Sequence, residues 1–364
     1  MTLGIGGAGC KLAALLDDSA VLVNVSETEL AKVPGGGRRI LASLHAGKGQ
    51  FKGSRKDRRL GLDAYLSVKR ELLSLIKGNM VFSSTGGGTG NGIVSGILGD
   101  LTDEEDISTE DKTFFAFLLP YAKLESSEFI SNTSEFLAGP LAGAIDSGNT
   151  GNIVLFSNRV KFEKRLSEQK FNQMLIESLK VFLAIPDKND QFRLLDGHID
   201  HEDFALFSSK PYFNHFTYFD YNPEQSFEKQ LTQNCNPLLL APEAPIEALF
   251  LLEVPAGGDP TMFYSIVEYF TDKKVSPIYS VVENPSLKAP FITVSLLYSR
   301  KPAELVNDFN IIAENHAQAK VQKSLDQYVS LARLEVNMAN KAREEVKLRG
   351  EEDVLAILKR LGKL

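Results

Sequence analysis

Residues 85–92 read Thr-Gly-Gly-Gly-Thr-Gly-Asn-Gly, between an apolar stretch, Met80-Val81-Phe82, and a helix-like one beginning Ile93-Val94. Glycine lets backbone approach an anion closely, and the amides at a helix start point at it. A strand that ends in glycines and opens a helix therefore suits phosphate. Thr85 and Thr89 add hydroxyl donors. The plain alternative is a flexible linker, but a linker has no need of a strand and a helix fused to its ends. A second run, Gly4-Ile5-Gly6-Gly7-Ala8-Gly9, matches the G-x-G-x-x-G dinucleotide spacing, with Glu27 near the place of a ribose-binding acid. One such run fits NAD; two at neighbouring strand ends converge better on one long polyphosphate. No run closes on Gly-Lys-Ser/Thr, so this is not a P-loop. A third segment, His198-Ile199-Asp200-His201-Glu202-Asp203, sets two histidines among three acids, the residue types of a metal site or of a plain surface loop.

The elements that must position these residues are visible as patterns. Apolar runs at 21–24, 79–82, 114–119 and 152–156 alternate with helix-like stretches at 11–17, 61–77, 92–101 and 125–147. Continuous apolar strands separated by helices predict a parallel sheet covered on both faces, with ligands at the carboxyl ends of its strands. Phe171, Met174, Leu175, Leu179, Phe182 and Leu183 recur at helical spacing and predict a helix over 168–184. A polar, acidic loop is expected at 187–203, then strands at 248–252, 277–282 and 291–297 with a helix at 261–273, a smaller α+β region.

Residues 303–349 contain neither glycine nor proline and are rich in helix formers. Unbroken, they would make a helix of about 70 Å, longer than one compact domain covers. Gly350 would cap it, and 341–364 carry seven Lys or Arg against five Asp or Glu, either a solvated helix end or a docking tail. The net charge of −7 argues against general nucleic-acid binding, and no apolar run approaches the ~20 residues of a membrane span, so no direct membrane contact is expected. The N-terminus lacks the look of a signal peptide, which predicts a cytoplasmic protein. Cys10 and Cys235, the two cysteines, make neither a disulfide framework nor a metal cluster.

The paired glycine runs, the second reading Gly-Gly-Gly-Thr-Gly-Asn-Gly, resemble the tubulin/FtsZ superfamily of polymerising GTPases, whose signature ends Gly-Gly-Gly-Thr-Gly-x-Gly. The resemblance runs in order over most of the chain. Val23-Asn24-Val25-Ser26-Glu27 resembles the family's second nucleotide loop. Residues 46–53, with Lys48, stand at the γ-phosphate-sensing loop but lack its usual Asn-Pro. Pro120 begins the fifth loop, and Asn158-Arg159 resembles the sixth. Phe171-Asn172 opens the central helix, where the family's asparagine reads the guanine edge; an amide, with both donor and acceptor, suits that edge. Asn172 could equally be a helix N-cap, Asn158 a turn residue, and Phe171 core. His198-x-Asp200-x-x-Asp203-Phe204 resembles the segment whose acids reach the next subunit's nucleotide, with His198 in place of the usual Asn. That pattern is most similar to the TubZ family, tubulin relatives of plasmids and phages that segregate DNA.

The resemblance implies an α/β fold: a parallel-sheet nucleotide-binding domain over 1–166, a central helix at 167–186, a loop with catalytic acids and a smaller α+β domain over 187–302, and a long C-terminal helix and tail at 303–364. It implies GTP or GDP with Mg²⁺ held by Gly6, Gly7, Ala8, Gly9, Cys10 and Lys11, by Gly86, Gly87, Gly88, Thr89 and Gly90, and by Asn24 and Lys48. Asn158 and Asn172 would read sugar and base, with Glu125 or Glu128 as the acidic ribose contact. Asp200 and Asp203 would position the attacking water, since phosphoryl transfer depends mainly on positioning and electrostatics. The implied partner is the protein itself, head to tail in filaments, with a DNA-binding adaptor at the C-terminal region. Alternatives are a phage spindle or FtsZ-like division filament, a filament that binds GTP but hardly hydrolyses it and, from a different class, an NAD-dependent enzyme. Only Met1-Thr2-Leu3 precede the first glycine, so either the first strand is a stub or the true start lies upstream.

Overall fold

The structure, a computed structural model, describes residues 1–35, 37–44 and 53–299, and beyond them Asn315, Gln318, Val321 and Gln322 as helical positions. The chain divides into two units, Met1–Ala313 and Glu314–Leu364. Lys48 lies outside the described residues, as do the expected C-terminal helix and tail apart from those four positions.

In chain order the first half comprises β1 (Thr2–Ile5), α1 (Gly6–Leu16), β2 (Val21–Asn24), α2 (Glu27–Lys32), β3 (Arg39–Leu41), α3 (Arg58–Ile76), β4 (Met80–Ser84), α4 (Gly88–Asp103), β5 (Phe114–Leu119), α5 (Ser127–Phe136), α6 (Ala142–Asp146), β6 (Ile153–Ser157) and α7 (Arg159–Glu163). Its strands are all parallel, in the order β3-β2-β1-β4-β5-β6. That order reverses between β1 and β4, the place where doubly wound sheets open a crevice at the carboxyl ends of their strands. Both glycine runs fall there. The short β1 is a full member of the sheet, because Leu3 sits between Val21 on one side and Val81 on the other.

The strands read as unbroken apolar runs because both faces are covered. In β5, Phe115, Phe117 and Leu119 enter the core under α3, α4 and α5, while Phe114, Ala116 and Leu118 enter the core under α1 and the central helix. The predicted helix over 125–147 is interrupted: α5 passes through one π-helical turn, Leu137–Leu141, before α6. Pro140 lies in that turn, where its missing N–H rules out a regular helical hydrogen bond.

The second half comprises α8 (Glu168–Leu183), α9 (Ile185–Gln191), β7 (Arg193–Gly197), α10 (His201–Ser208), β8 (Phe213–Asp220), α11 (Phe227–Gln233), β9 (Glu247–Val254), α12 (Phe263–Asp272), β10 (Ile278–Glu283) and β11 (Phe291–Tyr298). Its strands extend the same sheet as β8-β11-β9-β10-β7, with mixed directions, and β8 joins β6 through the parallel pair Ile153 and Phe213. The expected smaller α+β region is therefore continuous with the first sheet. The stretch 187–203, expected as a loop, instead holds most of α9, all of β7 and the start of α10.

The central helix α8 serves both halves. Phe171, Leu175, Leu179 and Phe182 join a core that also includes Phe216 of β8, Leu249 of β9 and Leu297 of β11. Phe182 stacks on Phe216 at 5.0 Å and lies 6.5 Å from Phe114 of β5. Among the described residues no helix is long and apolar enough to cross a membrane.

Candidate nucleotide site

The two glycine runs form one structure. β1 and β4 lie side by side, Ile5 opposite Ser83; β1 runs straight into α1, and β4 reaches α4 through Thr85, Gly86 and Gly87. Gly6 adopts φ +74°, and a Cβ there would come 2.8 Å from the Gly90 nitrogen, so the first turns of α1 and α4 touch. Neither helix has a side-chain cap on its first amides. Two adjacent N-termini whose amides are left uncapped concentrate donors and positive dipole on one crevice. The second run is pinned from behind. Asn91 Nδ2 donates to the Thr85 and Asn132 carbonyls, and Asn132 Nδ2 donates to the Gly86 carbonyl at 2.9 Å. The threonine hydroxyls, expected as phosphate donors, are engaged by protein: Thr85 with Thr133 at 2.9 Å, and Thr89 donating to Ser54 at 3.0 Å.

Around this crevice stand the other expected residues. Asn24 ends β2 with its Oδ1 accepting from the Val25 amide at 2.8 Å and its Nδ2 donating to Glu29 Oε2 at 2.9 Å. That carboxylate oxygen lies 3.1 Å from where a Gly7 Cβ would be. A carboxylate facing a polyphosphate is favourable only with a cation between them, so Glu29 is a residue that could hold a divalent ion beside phosphate. Sequence reasoning passed over it; its only signal was the Ser26-x-x-Glu29 capping-box spacing. Glu27, the acid of the NAD reading, lies exposed on α2, beyond the end of β2. Lys11 pairs with Glu168 at 2.7 Å, which ties the start of α8 to α1. The Cys10 thiol is buried and donates to the Gly4 carbonyl at 3.2 Å; burial pushes its pKa up to about 12, so it stays neutral and faces the core.

Glu125 and Asn158 meet. Glu125 Oε2 accepts from the Tyr121 amide at 2.6 Å and from Asn158 Nδ2 at 2.9 Å. Asn158 Oδ1 is buried with no hydrogen-bond partner among the described residues, an acceptor that a ligand hydroxyl or amine would satisfy. Glu128 is exposed in the first turn of α5. Asn172 is not a cap, since Ser167 Oγ caps α8 by accepting from the Lys170 amide. Its side chain is buried and makes no hydrogen bond among the described residues. It lies four residues beyond Glu168, on the helix face that meets Lys11. Phe171 beside it is core.

The acids are elsewhere. Asp200 caps α10, its Oδ1 accepting from the Asp203 amide at 2.7 Å. The ligating atoms of His198, Asp200 and Asp203 lie within 4.8 Å of one another, a set able to hold a divalent ion or to orient water. Buried Asn189 of α9 positions them: its Oδ1 accepts from Ser280 Oγ and, at 3.4 Å, from the Ile199 amide. The far end of α10 packs beneath the sheet, where the Asn152 amide and side chain donate to the Ser208 and Phe207 carbonyls. Asn152 immediately precedes β6. The start of α10 is placed by α9, where His201 Nε2 lies 3.4 Å from Asp190 Oδ2 and 3.6 Å from Asp187 Oδ1. α9 follows α8, which begins beside Lys11 at the crevice and runs 16 residues, about 24 Å, away from it. The acids therefore belong with the amino-terminal edge of the parallel strands and the glycine runs with the carboxyl-terminal edge, with strands of about 16–20 Å between. One subunit does not bring them together.

His215 of β8 supports the loop beside Asn158. It is buried, with Nδ1 bonded to the Leu240 carbonyl at 2.8 Å and Nε2 3.3 Å from Cys235 Sγ. Residues 238–240 in turn bond the end of β6. Burial pulls the His215 pKa from 6.5 down to about 4. The unfolded chain therefore takes up this proton first. Stability is intact above pH 6.5 and falls as pH drops, by about 3 kcal/mol on reaching pH 4. Thermal melting between pH 6.5 and 5, above the main carboxylate range, will show the slope in the wild type and a flatter one in His215→Gln. Equal slopes would remove the assignment.

No protein-family model matches the sequence, and no curated protein matches it. Solved structures do. CetZ from Methanosaeta thermophila superposes with a TM-score of 0.67 at 14% identity, over 96% of this chain and 99% of that one. A GTPγS-form protofilament of TubZ from Bacillus thuringiensis serovar israelensis gives 0.72 at 12%, over 90% and 94%. TubZ of Clostridium botulinum phage c-st gives 0.62 at 17%, over 87% and 98%. With its switch-point crevice, its central helix and its mixed second half-sheet, this chain has the fold of the tubulin/FtsZ superfamily.

Proposed function

We propose that this protein is a GTPase that assembles head to tail into filaments. The observation that carries the reading is the separation of the crevice from Asp200 and Asp203, at opposite edges of the same parallel strands. A site divided in this way is complete only when a second copy stacks along the strand direction, and a head-to-tail contact that does not close makes a filament. The glycine runs would hold the phosphates of GTP, and Asn158 and Asn172, with free amide capacity, would read sugar and base. Bound Mg²⁺ would offset phosphate charge beside Glu29. Asp200 and Asp203 of the neighbour would orient water for in-line attack, so hydrolysis would follow assembly. The solved TubZ and CetZ2 protofilaments with GTPγS support the class of nucleotide and of assembly.

The finer reading is a cytoplasmic filament that moves plasmid or phage DNA through an adaptor at the C-terminal region. It rests on the similarity of His198-x-Asp200-x-x-Asp203 to the TubZ pattern and on the weakly basic 341–364. The test is light scattering and phosphate release with GTP, GDP or NAD. GTP alone should drive assembly, and phosphate release per subunit should rise above the assembly threshold. NAD binding with no response to GTP would replace this reading with a dinucleotide enzyme.

A further inference from the structure

The strands that separate the two half-sites also separate charge. At the carboxyl ends of β5 and β6, Lys123 follows the first strand, and Lys164 and Arg165 follow α7 after the second; all three are exposed. The connections that carry them are one patch, because Tyr121 and Phe162 pack at 6.1 Å and Tyr121 Oη donates to Glu163. Over 120–126 and 158–167 this patch sets Lys123, Arg159, Lys161, Lys164 and Arg165 against Glu125 and Glu163, a net charge of +3. At the amino ends of the same two strands, the end of α4 and its connection to β5 expose Asp103, Glu104, Glu105, Asp106 and Glu110. Asn149, just before β6, ties that connection down through the Leu101 and Glu104 carbonyls and the Ile107 amide. None of these eight charged side chains has an ion-pair partner among the described residues. Leu124, beside Lys123, and Leu206, on α10, are exposed apolar residues next to these charges.

We infer that this charge polarity is the device that selects head-to-tail association, the cationic ends of β5 and β6 in one copy meeting the acidic ends of the same strands in the next. The inference rests on the filament reading and names the surfaces and their partner, a second copy of this chain. Two copies that each carry −7 repel in most orientations. Translation along β5 and β6 is the arrangement that sets unlike edges against each other, so the same charges that oppose random contact steer the productive one. It also sets the acidic connection, and the edge to which α10 belongs, over the crevice. Added salt should weaken the steering, since the screening length falls from about 10 Å at 0.1 M to about 3 Å at 1 M.

The test uses full-length chains with reversed edges. Lys123→Glu, Lys164→Glu and Arg165→Glu together make one variant; Asp103→Lys, Glu104→Lys and Glu105→Lys together make the other. At low salt each alone should need about tenfold or more protein to assemble than the wild type, a change of one decade in contact strength. A one-to-one mixture should recover, because every contact then pairs unlike edges. Melting temperature and GTP affinity should match the wild type. If a triple variant melts early, Lys164→Glu mixed with Glu104→Lys applies the same test. Assembly of either variant at the wild-type concentration overturns the inference, as does a mixture no better than its parts. Loss in the acidic-edge variant alone would also overturn it and assign that edge to another cationic partner. Wild-type protein that assembles with GTP while the variants behave like it removes this inference only; wild-type protein that never assembles removes the filament reading as well.

Discussion

Asp200→Asn will slow GTP hydrolysis in filaments by roughly a hundredfold to a thousandfold while leaving GTP binding and assembly close to wild type. The magnitude is that of losing a charged group that orients and polarises the attacking water. The choice of asparagine follows from the geometry. Asp200 is also the N-cap of α10, and its Oδ1 holds the Asp203 amide at 2.7 Å. Alanine would remove the cap as well, at a cost of about 1 kcal/mol, and would shift the helix that carries Asp203. Asparagine keeps an oxygen at the cap and removes only the charge. Phosphate release and light scattering should be read from one sample, so that turnover is expressed per assembled subunit. A variant that assembles and turns over GTP at the wild-type rate would remove Asp200 from the chemistry. A variant that fails to bind GTP would contradict the separation of the two edges, because nothing on α10 belongs to the crevice of its own chain.

The half-site on α10 was harder to read from sequence than the crevice, and the reason is physical. The apolar run of β5 declares a strand because both of its faces are covered. In 187–203 the ordering contacts come from far along the chain. Asn189 is fixed by Ser280, and Lys188 by Glu253, a buried carboxylate that also accepts from Asn284 Nδ2 at 2.7 Å. Local polarity suggested a loop, and tertiary partners made a helix and a strand. β8 escaped detection for the same reason. Its sequence Phe-Asn-His-Phe-Thr-Tyr-Phe-Asp places polar groups where a buried strand should be apolar. Each is satisfied inside: Asn214 donates to Asn152 Oδ1 and accepts from Ser295, His215 bonds the Leu240 carbonyl, and Thr217 donates to the Asn234 carbonyl. Glu29 was invisible because its partners, Asn24 and Gly7, meet only when α2 folds back on α1.

Gly92→Ala will unfold the protein at a markedly lower temperature without being a phosphate contact, whereas Gly87→Ala will leave melting unchanged and weaken GTP binding. The motif 85–92 looks uniform in sequence, yet the structure divides its work. A Cβ on Gly92 would fall 2.2 Å from the Arg58 carbonyl oxygen and 2.5 Å from the Leu62 nitrogen, both backbone atoms of α3. Gly61 returns the contact, its own Cβ position lying 2.3 Å from the Gly88 carbonyl oxygen. The two helices cross backbone to backbone, so an added methyl must push them apart. Overpacking of this kind costs about 1–3 kcal/mol or more, and the better helix propensity of alanine returns up to about 1 kcal/mol, so a net loss of roughly 2 kcal/mol is expected. Gly87 differs on each count. Its φ of −76° and ψ of 159° are open to any residue, and its Cβ would meet only Ser84 Oγ, at 3.3 Å. Substitution there should change stability by less than about 0.5 kcal/mol. It would, however, put a methyl at the N-cap of α4, where a phosphate must come close to backbone, and GTP affinity should fall about tenfold or more. Melting without nucleotide and GTP titration on both variants separate the roles. Early melting in Gly87→Ala with affinity intact, or lost affinity in a normally melting Gly92→Ala, would move the phosphate contact into the second half of the run. The division would then be wrong, and the glycines packed against α3 would have to bind as well as pack.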